Sequence, residues 1–277
     1  MVQYVRRVTD TPDTLTDPSR ATRPQTDVDR IAERYFDAAV ALSPINATFL
    51  GVPGGEEDLD DLSPAGNAAA SQLRRTALTE LAGAAPADDV DRVTIAAMTE
   101  RLQLAEDRYA AGLDEMSLNV LASPLQSVRD VFDLMPQDTE SDWRVFATRM
   151  GKIPAALEGY QVSLLAARDR GQVSPRRQVE ACAEQSRDLT ADDGYFAKVV
   201  ADATVGEAAL DGEVKEALAA SATAASAAYG GFAGWLEREL LPHASASGAC
   251  GSSSRSSQPA KPPYAAEAAV ALSLIHI

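Results

Sequence analysis

Residues 212–242, GEVKEALAASATAASAAYGGFAGWLERELLP, carry the fold signal from which the rest of the chain is read. Val214, Leu218, Ala222, Ala225, Tyr229, Phe232, Leu236 and Leu240 recur at spacings of three and four. Because an α-helix turns once in about 3.6 residues, those positions form one stripe and predict a helix of roughly thirty residues. Leu241-Pro242 ends it, since the residue before a proline is driven out of the helical region. Gly230-Gly231 is the point where it can bend or admit a close neighbour. Alanine dominates the composition and only 5% of the chain is aromatic, so packing relies on closely approaching helices.

The same spacing recurs upstream. Thr26-Asp27-Val28-Asp29 has the form of a capping box, and Val28, Ile31, Tyr35, Ala39 and Leu42 continue it as a helix to Ser43-Pro44. Ile45 to Gly55, with Gly51, Pro53, Gly54 and Gly55, reads as a loop, and Glu56, Glu57, Asp58, Asp60 and Asp61 as its solvated acidic continuation. The glycines lack the lysine and preceding strand of a phosphate loop, and the carboxylates lack the calcium-loop spacing. Ser63-Pro64 opens a helix lined by Leu73, Ala77 and Leu81, closed by residues 83–86. A third runs from about Ala87 to Ala111 with Ile95, Met98, Leu102, Ala105 and Tyr109 inward and Gly112 beyond its end.

Thr139-Glu140-Ser141-Asp142 caps a helix carrying Trp143, Phe146 and Met150; Pro154 forces a restart, followed by a helix to Arg170 that Gly171 ends. Ser174-Pro175 starts another, with Val179, Cys182, Ser186 and Leu189 on one face, and residues 192–212 read as a short helix plus a turn. No segment alternates with period two. The fold class is therefore all-α, an elongated multi-helix bundle.

Charge and composition narrow the function. The 277 residues hold 25 Lys and Arg against 41 Asp and Glu, a net charge of −16 that opposes a nucleic-acid partner. No apolar run reaches the ~18 residues of a membrane span and no signal-peptide core is present, so no membrane partner and a cytoplasmic location are expected. Cys182 and Cys250 make no disulfide framework. His243 and His276 are the only histidines, with no HExxH pair and no GxSxG elbow, so neither catalytic nor metal-binding residues are assigned. Residues 1–25 read as a disordered leader and 26–243 as the helical domain. Residues 244–277 read as a disordered or artefactual tail, in which Leu272 to Ile277 is what translation of a transposon-end sequencing adapter yields.

The least generic segment is Ser117 to Pro136, which mixes Asn119, Gln126, Arg129, Asp130 and Asp133 with bulky apolar residues between two prolines. Arg129 and Asp133 stand at i,i+4, the spacing of a structural ion pair worth a few tenths of a kcal/mol when exposed. The same groups can instead face a cleft and hold a substrate's charged end. Gln126, Arg129 and Asp130 are the candidate substrate-positioning residues, with Asp133 the structural partner of Arg129. Asn119, Ser123 and Gln126 either cap the helix or line the same surface.

Residues 119–135, NVLASPLQSVRDVFDLM, closely resemble the segment that marks the bacterial family called domain of unknown function 885. Tyr35-Phe36, Ala41-Leu42-Ser43-Pro44, Thr48-Phe49-Leu50-Gly51, Leu62-Ser63-Pro64-Ala65-Gly66 and Arg176-Arg177-Gln178-Val179-Glu180 are similar to further family landmarks, and the resemblance covers about residues 27–242. It implies a relation to zinc metallopeptidases of the thermolysin-like superfamily, in which two histidines and a carboxylate hold Zn²⁺ and a glutamate activates water. Those residues belong to the family's C-terminal half. The chain is accordingly expected to be a truncated N-terminal fragment, inactive alone and without a cofactor, zinc and a peptide substrate being implied for the full-length protein. The alternative is a non-catalytic all-helical peptide- or protein-binding module. A fragment is also expected to self-associate through exposed apolar surface.

Overall fold

A computed structural model describes residues 23–245. The leader and tail readings lie outside those residues, except at 23–25 and 244–245. Ten α-helices follow in order: α1 (Asp27–Leu42), α2 (Pro44–Leu50), α3 (Pro64–Gly83), α4 (Asp89–Ala110), α5 (Pro124–Asp130), α6 (Glu140–Met150), α7 (Ile153–Asp169), α8 (Arg176–Asp188), α9 (Tyr195–Asp202) and α10 (Gly212–Trp235). The chain is all-α, as its periodicity requires. The strand content among the described residues is a two-by-two antiparallel hairpin, β1 (Thr204–Val205) with β2 (Ala208–Ala209), and Trp143 Nε1 donates to the Thr204 carbonyl at 3.0 Å to hold it against α6.

α10 is the central helix and packs on α6, α7, α8 and α9. All eight residues of its sequence stripe are buried. It passes through Gly230-Gly231 without interruption and changes to a wider π-type turn only at Leu236–Leu240, before a short 3-10 turn at Leu241–His243. Around it lie Phe132, Phe146, Met150, Tyr160, Leu164 and Cys182, all at or near complete burial. Each such side chain contributes on the order of 1.5–3 kcal/mol by leaving water.

A second, smaller core joins α1, α3 and α4 through Val28, Ile31, Ala77, Leu81 and Leu102. Thr26 and Asp29 form the capping box of α1, with Asp29 N donating to Thr26 Oγ1 at 3.2 Å and Thr26 N to Asp29 Oδ2 at 2.9 Å. Arg23, inside the segment read as leader, pairs with Asp29, Asp88 and Asp91. Asp91 is fully buried and also accepts from Thr26 Oγ1 at 2.9 Å and Ala87 N at 2.8 Å. Arg23 thus clasps the starts of α1 and α4 together, and its hydrogen bonds draw the Asp29 and Asp88 carboxyls below their ordinary range.

The loop read over Ile45 to Gly55 is corrected in its first part. Pro44–Leu50 is a two-turn helix because Ser43-Pro44 acts as N-cap and first residue, and Asp60 completes the cap by accepting from Ser43 Oγ at 2.5 Å and Ile45 N at 2.9 Å. Gly51, at φ 69°, ends it in the left-handed conformation. Asp60 is therefore not a solvated residue of the acidic run, and burial raises its carboxyl's pKa despite the two donors.

Arg149 secures this segment to the main core. It is fully buried, and it donates from Nε to the Asp58 carbonyl at 2.8 Å, from Nη1 to Thr48 Oγ1 at 2.8 Å and from Nη2 to the Pro44 carbonyl at 2.9 Å. Removing a buried charge leaves its neutral acceptors unpaired, so Arg149→Met is expected to lower the unfolding free energy by about 3 kcal/mol in urea titrations followed by circular dichroism. Arg144→Ala, which removes an exposed i,i+4 pair with Glu140, should change it by less than about 0.5 kcal/mol. The clasp predicts a pH dependence. Carboxyls with depressed folded pKa values supply stability above their ordinary pKa of about 4 and lose it as pH falls through the folded value. The thermal midpoints of the wild-type protein and Arg23→Ala should therefore differ most at neutral pH and converge on acidification.

Candidate functional site

The polar segment 117–136 lies between α7, α8 and α10, and most of its hydrogen-bonding groups are satisfied there. Tyr229 of α10 donates to the Leu125 carbonyl at 3.0 Å, and Tyr160 of α7 donates to the Ser117 carbonyl. From α8, Gln178 Oε1 accepts from Val120 N at 3.0 Å and Gln185 Nε2 donates to the Val120 carbonyl at 3.1 Å. Ser174 Oγ donates to the Met116 carbonyl at 3.1 Å. Asn119 closes the turn before α5 by accepting from Leu121 N at 2.9 Å and Ala122 N at 2.8 Å.

Gln126 sits inside this network. Its Oε1 accepts from Ser123 N at 3.0 Å and Ser123 Oγ at 2.7 Å, and its Nε2 donates to the Asn119 carbonyl at 3.0 Å and to Gln185 Oε1 at 2.9 Å. Each side-chain group is engaged by the protein, so the amide fixes the start of α5. Arg129, one turn on, is placed differently. Its Nη1 donates to Asp130 Oδ1 at 3.1 Å and Asp133 Oδ2 at 2.5 Å, and its guanidinium lies 4.2 Å from the centroid of the Tyr195 ring. Burial alone would lower the Arg129 pKa, but the two carboxylates outweigh it and keep the side chain charged. The Tyr195 hydroxyl is pushed up by burial.

Two adjoining cavities meet at this arginine. One, about 310 Å³, is lined by Leu125, Gln126, Asp130, Gln185 and Ser186. The other, about 500 Å³, is lined by Ala191, Asp193, Gly194, Tyr195 and Lys198. Arg129, Asp188 and Leu189 border both, making a continuous groove between α5, the end of α8 and the start of α9. Gly194 closes the turn between α8 and α9, where an added Cβ would lie 2.7 Å from the Asp188 and Leu189 carbonyls. The groove joins an apolar floor to charges of both signs, and only Nη1 of the Arg129 guanidinium is tied to the carboxylates.

The four residues singled out in the sequence are thus adjacent, but Tyr195, Asp188, Lys198 and Gln185 complete the site and were not. Gln178 and Gln185, two turns apart on α8, are the one legible hint of a polar face turned toward the segment. A separate cavity of about 490 Å³ lies over Arg149, with Glu56, Glu57, Asp58 and Asp142 at its rim and Met135, Pro136 and Val145 in its wall. The described residues do not fit a zinc ion. His243 is exposed at the chain's last described turn, Cys182 is buried without a ligand partner and its thiol pKa is pushed up to about 12, and no group of three or more ligand residues occurs among the described residues. No helix among them is long and apolar enough to cross a membrane.

The geometry separates structural from exposed groups in a measurable way. Gln126→Ala and Tyr229→Phe each leave buried partners unpaired and are expected to cost about 1–3 kcal/mol in denaturant midpoints. Asp130→Ala and Asp133→Ala, at side chains half exposed, should each cost less than about 1 kcal/mol.

No curated protein matches this chain. Among solved structures it is similar to one described as "the putative lipoprotein from Colwellia psychrerythraea", with a TM-score of 0.65 and 16% identity over 79% of this chain. The chain spans 42% of that protein's length, and at this identity the likeness is one of fold. The family model described as "Bacterial protein of unknown function (DUF885)" matches residues 44–268, beginning at α2 and containing the whole groove. With the marker segment, the groove and most of the chain inside that match, the protein belongs to the DUF885 family.

Proposed function

We propose that the described helical domain holds a peptide for a hydrolytic family protein, and that the groove at Arg129 is where the peptide lies. The observation that supports this most is the placement of Arg129: stacked on Tyr195, at the junction of two cavities, with one edge of its guanidinium unengaged by the neighbouring carboxylates. A guanidinium so held binds a carboxylate at little ordering cost, because its plane is already fixed. The combined cavity is of the size that small ligands occupy, roughly 300–1,000 Å³. Asp188 and Asp193 across the groove suit amide or ammonium donors of the same ligand.

Zinc-dependent peptide hydrolysis is the reaction that the sequence resemblance implies for the whole family protein. It enters this proposal as the activity of that whole protein. Within the described domain the residues act by holding and orienting: Gln126 and Gln185 fix α5 and α8 relative to one another, Arg129 receives the ligand's anionic end, and Tyr195 supports the guanidinium. A non-catalytic peptide-binding module would use the same groove, and the two readings diverge only in whether bound peptide is cleaved.

The test is a titration of isotope-labelled protein with trialanine bearing free ends, N-acetylated or C-amidated. Binding should shift the amide signals of residues 126–130 and 188–198, and C-amidation should weaken it about tenfold, the worth of one charge-assisted hydrogen bond. Arg129→Met, which keeps an apolar stem over Tyr195, should weaken the free peptide to the level of the amidated one. Unchanged spectra at millimolar peptide, or equal binding by Arg129→Met, would refute the assignment.

A further inference from the structure

The two cavities that meet at Arg129 differ in what their polar groups are free to do. The smaller is lined by Leu125, 2% exposed, by the fully buried Ser186 and by Leu189, which packs against the main core. Its polar groups are largely spent on the protein. Ser186 Oγ donates to the Cys182 carbonyl at 2.8 Å. Gln126 is engaged through both ends of its amide by Ser123, Asn119 and Gln185, and Gln185 in turn donates to the Val120 carbonyl. Asp130 accepts from Arg129. In the larger cavity, by contrast, the side chains of Asp193 and Lys198 are exposed and hold no hydrogen bond or ion pair among the described residues, and so is that of Asp188 where the cavities join.

We propose that the smaller cavity is the side-chain pocket for a peptide's C-terminal residue and that it selects an aliphatic one. This rests on the reading of Arg129 as the receiver of the peptide's carboxylate. The side chain and the amide nitrogen of a C-terminal residue diverge from its Cα, so a carboxylate held by Arg129, which borders both cavities, directs one of them into each. The amide and the residues before it need hydrogen-bond partners, and the free carboxylates lie in the larger cavity, at Asp193, and at the junction, at Asp188. The side chain is left to the smaller cavity, whose volume of about 310 Å³ admits a leucyl group. There a polar side chain sheds its water and finds most partners taken, whereas an aliphatic one gains by leaving water beside Leu125 and Leu189. A lysyl stem also fits, but its ammonium meets Asp130 and Asp188 in contact with solvent, where an ion pair contributes little.

The test titrates the isotope-labelled full chain with Ala-Ala-Leu, Ala-Ala-Lys, Ala-Ala-Gly and trialanine, all with free ends. Ala-Ala-Leu should bind at least about tenfold more tightly than Ala-Ala-Gly, with trialanine between them and Ala-Ala-Lys weaker than Ala-Ala-Leu. Nuclear Overhauser contacts locate the residue directly: the leucyl methyls of the bound peptide should meet those of Leu125 and Leu189 and not that of Ala191, which lines the larger cavity. Equal affinities across the series, tighter binding of Ala-Ala-Lys, or leucyl contacts to Ala191 in place of Leu125 would overturn the pocket. Any of these results, with trialanine binding still weakened by Arg129→Met, would leave the carboxylate site standing, whereas no binding by any of the four peptides would overturn both.

Discussion

The hydroxyls of Tyr229 and Tyr160, donating to the carbonyls of Leu125 and Ser117, meet the constraint on which this fold depends. A non-regular segment at the centre of a helical bundle carries backbone groups that helices would otherwise satisfy internally, and each one left unpaired in the core costs several times what a hydrogen bond contributes on balance. The protein resolves this by lending side chains from three surrounding helices: tyrosines from α7 and α10, glutamines from α8. Burial in turn raises the pKa of both tyrosine hydroxyls, which keeps them protonated donors. The bundle and its central segment therefore depend on one another in the folded chain.

That arrangement explains what could be read in advance. The stripe from Val214 to Leu240 was legible because helical periodicity records burial directly, and every member is inside. The caps at Thr26, Ser63 and Thr139 were legible because each is a local pattern with a local cause. α2 was not: two turns carry too little periodicity, and the residue that completes its cap, Asp60, is distant in sequence. Arg149 was hidden for the same reason, since its acceptors come from residues more than ninety positions away and two of the three are backbone carbonyls with no side-chain signature. At the site, Arg129 with Asp130 and Asp133 was readable as a helix-spacing cluster, whereas Tyr195, Asp188 and Lys198 reach it only through the turn that joins α8 to α9.

Two kinds of polar residue emerge within the family's marker segment. Asn119, Ser123 and Gln126 are consumed by the fold, bonded to one another and to α8. Arg129 is held by the fold and yet faces a groove, which is the division expected where a rigid scaffold presents a binding group. The same division applies to the acidic loop: Asp60 and the Asp58 carbonyl are structural, while Glu56 and Glu57 face a cavity. Charge-rich stretches of this chain thus combine support and surface within a few residues, which is why composition alone does not sort them.

Residues 118–132 form a rigid support bonded into the bundle and not a mobile loop around a site. Native-state hydrogen exchange reads this directly, because an amide that opens only with the whole core exchanges at the global rate. Val120, whose amide donates to Gln178, and the amides of α5 are expected to exchange in the slowest class together with α10, while those of α4 and the α8–α9 turn exchange faster. Exchange of Val120 and α5 at loop-like rates, with α10 still protected, would contradict it.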